Sequence, residues 1–396
     1  MKKGFDSLVP TIDQLLSSVT TPLFLLIGFA ILPTETFAVT AQFVFLYGCL
    51  ASICQAMLGE PYLISSKHES KLTESHDYTS ASIILASSVS ILSFPLSLLI
   101  TDSLKLSSVL LLPVLAMLLQ DSKRIWRISD GRWFLLVSSD TVWFLASVIC
   151  IFLVNKSDDF FIFFAWGIPG IMALLIIFDY SDFRRIDLKS GWNLLLHFFR
   201  KYYFTVVETT ASGASMVIAY WAISNYLGAS EFSTLRYASL LFGLSTVVIN
   251  RQRVFDFASE NIQQLEVVSN LKTFGRIMEV SRVVAFNLIF LLLVFAVSDE
   301  FNFGLEYSSP GSMLLFVLAL DRLSVGVLMS VTVFLKTHKD PRTIAKIRTL
   351  VSVSSALIYF LFAFVGTNLV LLIVFGFLPY LIAFGLVYPR MSKPSI

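Results

Sequence analysis

Six ionisable residues stand where the surrounding sequence is apolar. Asp321 and Arg322 are adjacent in VLALDRLSVGVL, residues 317–328, inside a run otherwise almost free of charge. Arg236 stands in TLRYASLLFG and Asp140 in LVSSDTVWFL. Asp13 and Glu208 each open an apolar stretch. Guanidinium groups suit an anion, because their planar fork offers parallel donors to phosphate or carboxylate oxygens. Carboxylates in such runs serve as proton or cation sites, or as partners for a buried base.

What these groups can do depends on the elements that hold them. The chain is 56% hydrophobic and 14% charged, against about 25% charged in a soluble domain. TSASIILASSVSILSFPLSLLI (79–100) carries no charge at all, and about 20 apolar residues span the hydrocarbon core as a helix. Twelve spans are expected: 14–32, 38–58, 79–100, 104–120, 133–154, 160–179, 203–225, 231–250, 281–298, 311–335, 345–366 and 368–388. Lipid offers backbone groups no partner, so helices are the default. The alternating segments of a barrel are absent.

The six residues can then be placed. Asp321 lies about ten residues into its span, on the order of 15 Å deep. An ionisable group there costs at least about 2.5–3.5 kcal/mol unless it faces water or a partner. Helix neighbours i and i+1 point in different directions, so Asp321 and Arg322 are not expected to satisfy each other. One should face a cavity and the other a neighbouring helix; a substrate path and an interhelical ion pair both remain open. Arg236 enters span eight, either as an anion contact or as a side chain snorkelling to the surface. Asp140 reads as a proton or cation site, or as a partner for Arg322. Asp13 and Glu208 read most simply as acids at helix N-termini.

Of the 29 Lys and Arg, 25 fall on one side of this topology, which places both termini in the cytoplasm. Lys2 and Lys3 precede a first span that is expected to stay, since no cleavage site follows a short apolar core. The outer loops are short, the longest being 299–310, and hold Lys105 and Lys156 but no Arg or His. That counts against a membrane polymerase or ligase, which needs catalytic groups outside. Cys49, Cys54 and Cys150 lie in spans without disulfide or metal spacing. His68, His76, His197 and His338 form no ligand cluster, and no phosphate-binding glycine loop or nucleophile elbow is present. No enzyme activity, cofactor, metal or nucleic-acid partner is expected.

The chain also repeats itself. RWFLLVSSDTVWFL (132–145) aligns without gaps on RTLVSVSSALIYFL (348–361), matching Arg132 with Arg348 and Ser138-Ser139 with Ser354-Ser355. Residues 13–56 align more weakly on 208–251, where Asp13 meets Glu208 and Gly48 meets Gly243. Spans five and eleven are six apart, so the two halves run parallel about an axis along the membrane normal. The expected organisation is a six-helix lobe over 1–180, a cytoplasmic amphipathic linker over 181–202, and a second six-helix lobe over 203–396.

IDQLLSSVTTPLF (12–24), LPTETFAVTAQFVFLYGCL (32–50), MLGEPYL (57–63), LLQDSKRIW (118–126) and LGASEFSTLRYASLLFG (227–243) together resemble the polysaccharide, O-antigen-type flippases of the multidrug/oligosaccharidyl-lipid/polysaccharide exporter superfamily. The resemblance covers the first eight spans in sequence and the rest by topology. It implies an all-α protein of two lobes, with spans 1, 2, 7 and 8 lining a central cavity. It implies export of a polyprenyl-diphosphate-linked oligosaccharide across the bacterial inner membrane by alternating access, for lipopolysaccharide or other polysaccharide assembly. Membrane lipid and other polysaccharide-assembly membrane proteins are the implied partners. On that basis Arg236, Glu208 and Asp13 sit on cavity-lining helices; with Arg322, read from its place inside a span, they are the candidate substrate contacts, and Asp321 and Asp140 are coupling groups or structural ion-pair partners. A proton- or cation-coupled small-molecule antiporter of the same superfamily is the alternative.

Overall fold

The computed structural model describes residues 16, 19–62, 75–130, 132–155, 160–178, 186–243, 245, 266–301, 311–338 and 341–387. Among them the chain is all-α. Twelve helices follow in order: α1 Val19–Ile31, α2 Thr34–Tyr62, α3 Ser75–Thr101, α4 Leu104–Asp130, α5 Trp133–Leu153, α6 Phe163–Ile177, α7 Leu188–Leu227, α8 Ala229–Leu241, α9 Glu266–Phe301, α10 Ser312–His338, α11 Pro341–Val365 and α12 Leu369–Val387. Nine of these described helices are long and apolar enough to cross a bilayer; α1 and α6 are shorter apolar helices. Their outward faces carry residues such as Phe134, Leu153 and Leu92, 72–82% exposed. Large apolar side chains exposed on nearly every helix mark a surface that meets lipid. This is a multi-pass membrane protein.

The chain forms two compact units, Met1–Gly213 and Ala214–Ile396. In the first, an aromatic knot ties α2, α5 and α6. Trp166 is fully buried, with ring centroids 4.9 Å from Tyr47, 6.1 Å from Phe43 and 6.4 Å from Trp143. A second knot of Tyr62, Tyr78 and Trp126, with centroids 4.6–5.4 Å apart, joins α2, α3 and α4. Between helices in lipid, such packing and hydrogen bonding replace the hydrophobic driving force.

Two boundaries differ from the sequence reading. Helix α4 does not stop near residue 120 but continues to Asp130. Three basic residues assigned to the following loop, Lys123, Arg124 and Arg127, therefore lie on a helix. Helix α7 begins at Leu188, with a bend at Tyr202 (φ −119°, ψ 17°), so much of the expected linker is already helical. Its start is held against α3. The amide of Asp187 donates to Ser80 Oγ at 3.0 Å, and Ser190 donates to Asp77. Gly191 lets the helix approach: a Cβ there would stand 2.6 Å from the backbone of Ser80 and Ala81.

In the second unit α10, α11 and α12 pack together, with α9 on α10. Leu328, Val351 and Ala383 form one buried cluster, packed by Tyr380. Tyr226, at the end of α7, stacks edge-on against Phe360 and Phe364 of α11. The internal repeat has a structural counterpart. Ser139 Oγ on α5 donates to the Ala173 carbonyl on α6 at 2.9 Å, and its repeat mate Ser355 on α11 donates to the Gly376 carbonyl on α12 at 2.6 Å. Each serine binds its helix to the helix that follows it in the chain.

Candidate functional site

Each unit encloses one polar centre. In the first, Gln120, Lys123, Arg124 and Arg127 occupy one stripe of α4 at helical spacing. Arg124 Nη2 lies 3.3 Å from Asp140 Oδ2, and the Asp140 side chain is only 2% exposed. Gln120 Nε2 donates to Ser139 Oγ at 3.1 Å and reaches Asp140 Oδ1 at 3.4 Å. Lys123, fully buried, donates to Thr79 Oγ1 at 2.5 Å and stands 5.1 Å over the Phe178 ring. Arg127 reaches the Ile177 carbonyl at 3.3 and 3.4 Å. That carbonyl is at the C-terminal end of α6, where cations are favoured by the helix dipole. On a neighbouring face, Tyr47 donates to Asp121 Oδ2 at 2.6 Å, and Arg124 acts electrostatically on Asp121 as well.

The base beside Asp140 is therefore Arg124, on the neighbouring helix of its own unit; the sequence reading had considered Arg322 for that role. That reading missed Asp121 and Arg124 because a charged run after an apolar one looks like a cytoplasmic loop, and Tyr47 because a tyrosine in an apolar helix looks like core. The signal that could have found Arg124 is the i, i+3, i+4, i+7 spacing of Gln120, Lys123, Arg124 and Arg127.

In the second unit the centre lies among α7, α8, α10, α11 and α12. Asp321 Oδ2 and Arg322 Nε are 4.0 Å apart, with side chains 15% and 22% exposed. That separation exceeds a hydrogen bond, as expected for adjacent helical residues. Both act electrostatically on Tyr359 of α11, together with Tyr220 and Tyr380. Asp321 and Arg348 both act on Tyr380, which also hydrogen-bonds with Ser352. The Arg236 guanidinium lies 5.3 Å over the Tyr220 ring, a cation–π contact. Arg236 and Arg322, far apart in sequence, thus belong to one tyrosine-rich cluster. It holds the bases Arg236, Arg322 and Arg348 and the acid Asp321. Gly376 supports it, because a Cβ there would fall 2.3–2.7 Å from the Tyr359 ring and hydroxyl.

Glu208 is 2% exposed on α7. It lies six residues past the bend at Tyr202, where a second helical segment starts, and so beyond that segment's first turn. The dipole argument offered for it from sequence does not hold. Asp13 lies outside the described residues. Among the described residues, no group of three or more His, Cys, Asp or Glu could hold a metal ion.

Neither a protein-family model nor a curated protein sequence matches the chain. Solved structures do. The chain has the fold of lipid flippases and multidrug exporters. It is similar to the lipid II flippase MurJ in an inward closed conformation, with TM-score 0.69 and 15% identity over 98% of this chain and 87% of that one. It is also similar to a MATE protein in the straight conformation (TM-score 0.64, 12% identity, 97% of this chain and 94% of that one). A third is a MOP-superfamily transporter from Pyrococcus furiosus Vc1, described by the reversed polarity of its binding pocket (TM-score 0.62, 13% identity, 97% and 94% covered). MurJ and the MATE proteins are two-lobe helical transporters, and the MOP superfamily is the one the sequence resembles.

Proposed function

We propose that the chain is a bacterial inner-membrane transporter that moves a polyprenyl-diphosphate-linked oligosaccharide between leaflets by alternating access. The observation that carries this reading is the second unit's tyrosine-rich cluster, where Asp321 and Arg322 act on Tyr359, Asp321 and Arg348 act on Tyr380, and the Arg236 guanidinium lies over the Tyr220 ring. Guanidinium groups in a low-dielectric setting favour an anion, and a diphosphate presents several oxygens to bidentate forks. Tyrosines add hydroxyl donors and ring faces suited to a sugar. The likeness to a lipid II flippase agrees with such a substrate. Arg322 and Arg236 are the first contacts in this proposal, Asp321 orients Arg322, and Glu208 and Asp13 are further candidate contacts carried over from the resemblance.

The test is complementation of a strain lacking its own flippase, with native glycan enzymes supplied and expression of each variant checked. Surface glycan restored by the parent and lost with Arg322→Ala or Arg236→Ala supports the reading. Trapped lipid-linked intermediate despite well-expressed parent protein overturns it. A second reading, a proton- or cation-coupled small-molecule antiporter, rests on the buried Asp140 and the half-buried Asp121 of the first unit and on the likeness to MATE proteins. It predicts drug resistance conferred by the parent without any effect on surface glycan.

A further inference from the structure

We propose that the first part of α7, from Leu188 to Lys201, is a binding surface for anionic phospholipid headgroups, independent of what the protein transports. This stretch has three faces. Gly191, Leu195 and Phe198 are buried, and Gly191 rests on the backbone of α3, so the helix is fixed to its own unit. Leu188, Trp192 and Phe199 are 57%, 52% and 40% exposed; at about 100° per residue they fall within an arc of about 40°. Next round the helix come Lys189, Arg200, His197 and Lys201, all exposed.

Each face has a different preferred surroundings. The apolar stripe is wide enough to enter the acyl boundary, and tryptophan favours the headgroup level. Lys189 and Arg200, flanking it, place long cationic side chains at the same level, where each gains attraction from an anionic leaflet, and the exposed His197 and Lys201 beyond them extend the positive field. A zwitterionic surface would satisfy the apolar stripe but would leave the basic arc unmatched. The side fixed to α3 keeps the other two faces from rolling away. Acidic phospholipid is the occupant that matches both exposed faces at once.

Trp192 itself reports the occupant. The protein is reconstituted in mixed vesicles carrying either brominated phosphatidylglycerol or brominated phosphatidylcholine at equal mole fraction. The Trp192 signal is taken as the difference between the parent and Trp192→Phe. The expected result is quenching by the anionic lipid as though its local fraction were at least about three times its bulk value. That preference should fall toward unity at high salt and in the triple variant Lys189→Gln, Arg200→Gln, Lys201→Gln. Equal quenching by the two lipids overturns the proposal, as does a preference that survives high salt. Quenching of Trp192 by aqueous iodide and by neither lipid also overturns it. Should the triple variant fail to fold, the salt titration of the unchanged protein decides.

Discussion

The two polar centres contain similar groups and treat them differently. In the first unit each of Lys123, Arg124 and Arg127 reaches a specific acceptor: the Thr79 hydroxyl, the Asp140 carboxylate and the Ile177 carbonyl. In the second unit the Asp321–Arg322 pair is loose at 4.0 Å, and both side chains are several times more exposed than that of Asp140. Closed charge networks hold helices in place; open ones leave donors for something else. The difference teaches that an intramembrane charge is informative about function only once its partners are known. On the function proposed above, Arg124 is a structural group and Arg322 a substrate contact.

The largest effect should come from breaking the closed network. Asp140→Ala leaves Arg124 beside an empty position in a nearly dry setting. Removing one partner of a buried pair costs about 3–5 kcal/mol. The expected outcome is a large drop in thermal stability of the purified protein, with poor recovery of folded material. Unchanged melting together with lost transport would reverse the assignment, making Asp140 a coupling group.

In the second unit the order should invert. Arg322→Ala is expected to leave melting within about 1 kcal/mol of the parent, because its pairing with Asp321 is loose at 4.0 Å; Arg236→Ala is compared with it by transport at matched expression. Transport should fall about tenfold or more, as charge-assisted hydrogen bonds contribute about 1.5–3 kcal/mol. Lysine should restore little at Arg322, since a point charge does not reproduce the bidentate fork. Glycan assays at matched expression read the comparison directly. Equal losses of stability and transport in these variants would make the open centre as structural as the closed one.

How far the sequence showed all this depends on what each feature looks like in one dimension. Long apolar runs are unmistakable, so each of the twelve expected spans has a helix among the described residues. The Ser-Ser repeat was also legible, and Ser139 and Ser355 make matching bonds. The end of α4 was not, because Lys123, Arg124 and Arg127 after LLPVLAMLL read as a cytoplasmic loop. Only tertiary partners such as Thr79 and Ile177 allow those charges to be buried. Tyr220, Tyr359 and Tyr380 were invisible for the opposite reason: tyrosine in an apolar helix looks like core. Their meeting with Asp321 and Arg322 requires helices separated by up to about 160 residues of chain.

A smaller effect should come from the wall of the open centre. Gly376→Ala would press a methyl group against Tyr359, within 2.3–2.7 Å of its ring and hydroxyl. Overpacking of this kind costs about 1–3 kcal/mol. The tyrosine must shift, so transport should fall more than melting does. A variant with parental transport would place Tyr359 outside the working part of the cluster.

The smallest expected effect tests the repeat itself. Ser139→Ala and Ser355→Ala each remove one donor to a helix carbonyl, at 2.9 and 2.6 Å. Interhelical hydrogen bonds in membranes average about 0.6 kcal/mol, so each variant should lose only a little stability. Yet the two losses should differ in one respect. Ser139 also accepts from Gln120, which in turn reaches Asp140, whereas Ser355 bonds the helix next to Tyr359. Removing Ser139 therefore disturbs the closed network, and combined with Asp140→Ala its effect should be less than additive. Ser355→Ala and Asp140→Ala, in different units, should add. Additivity in both double variants would mean that Gln120 does not link the serine to the ion pair, and that the first unit's network is two separate contacts.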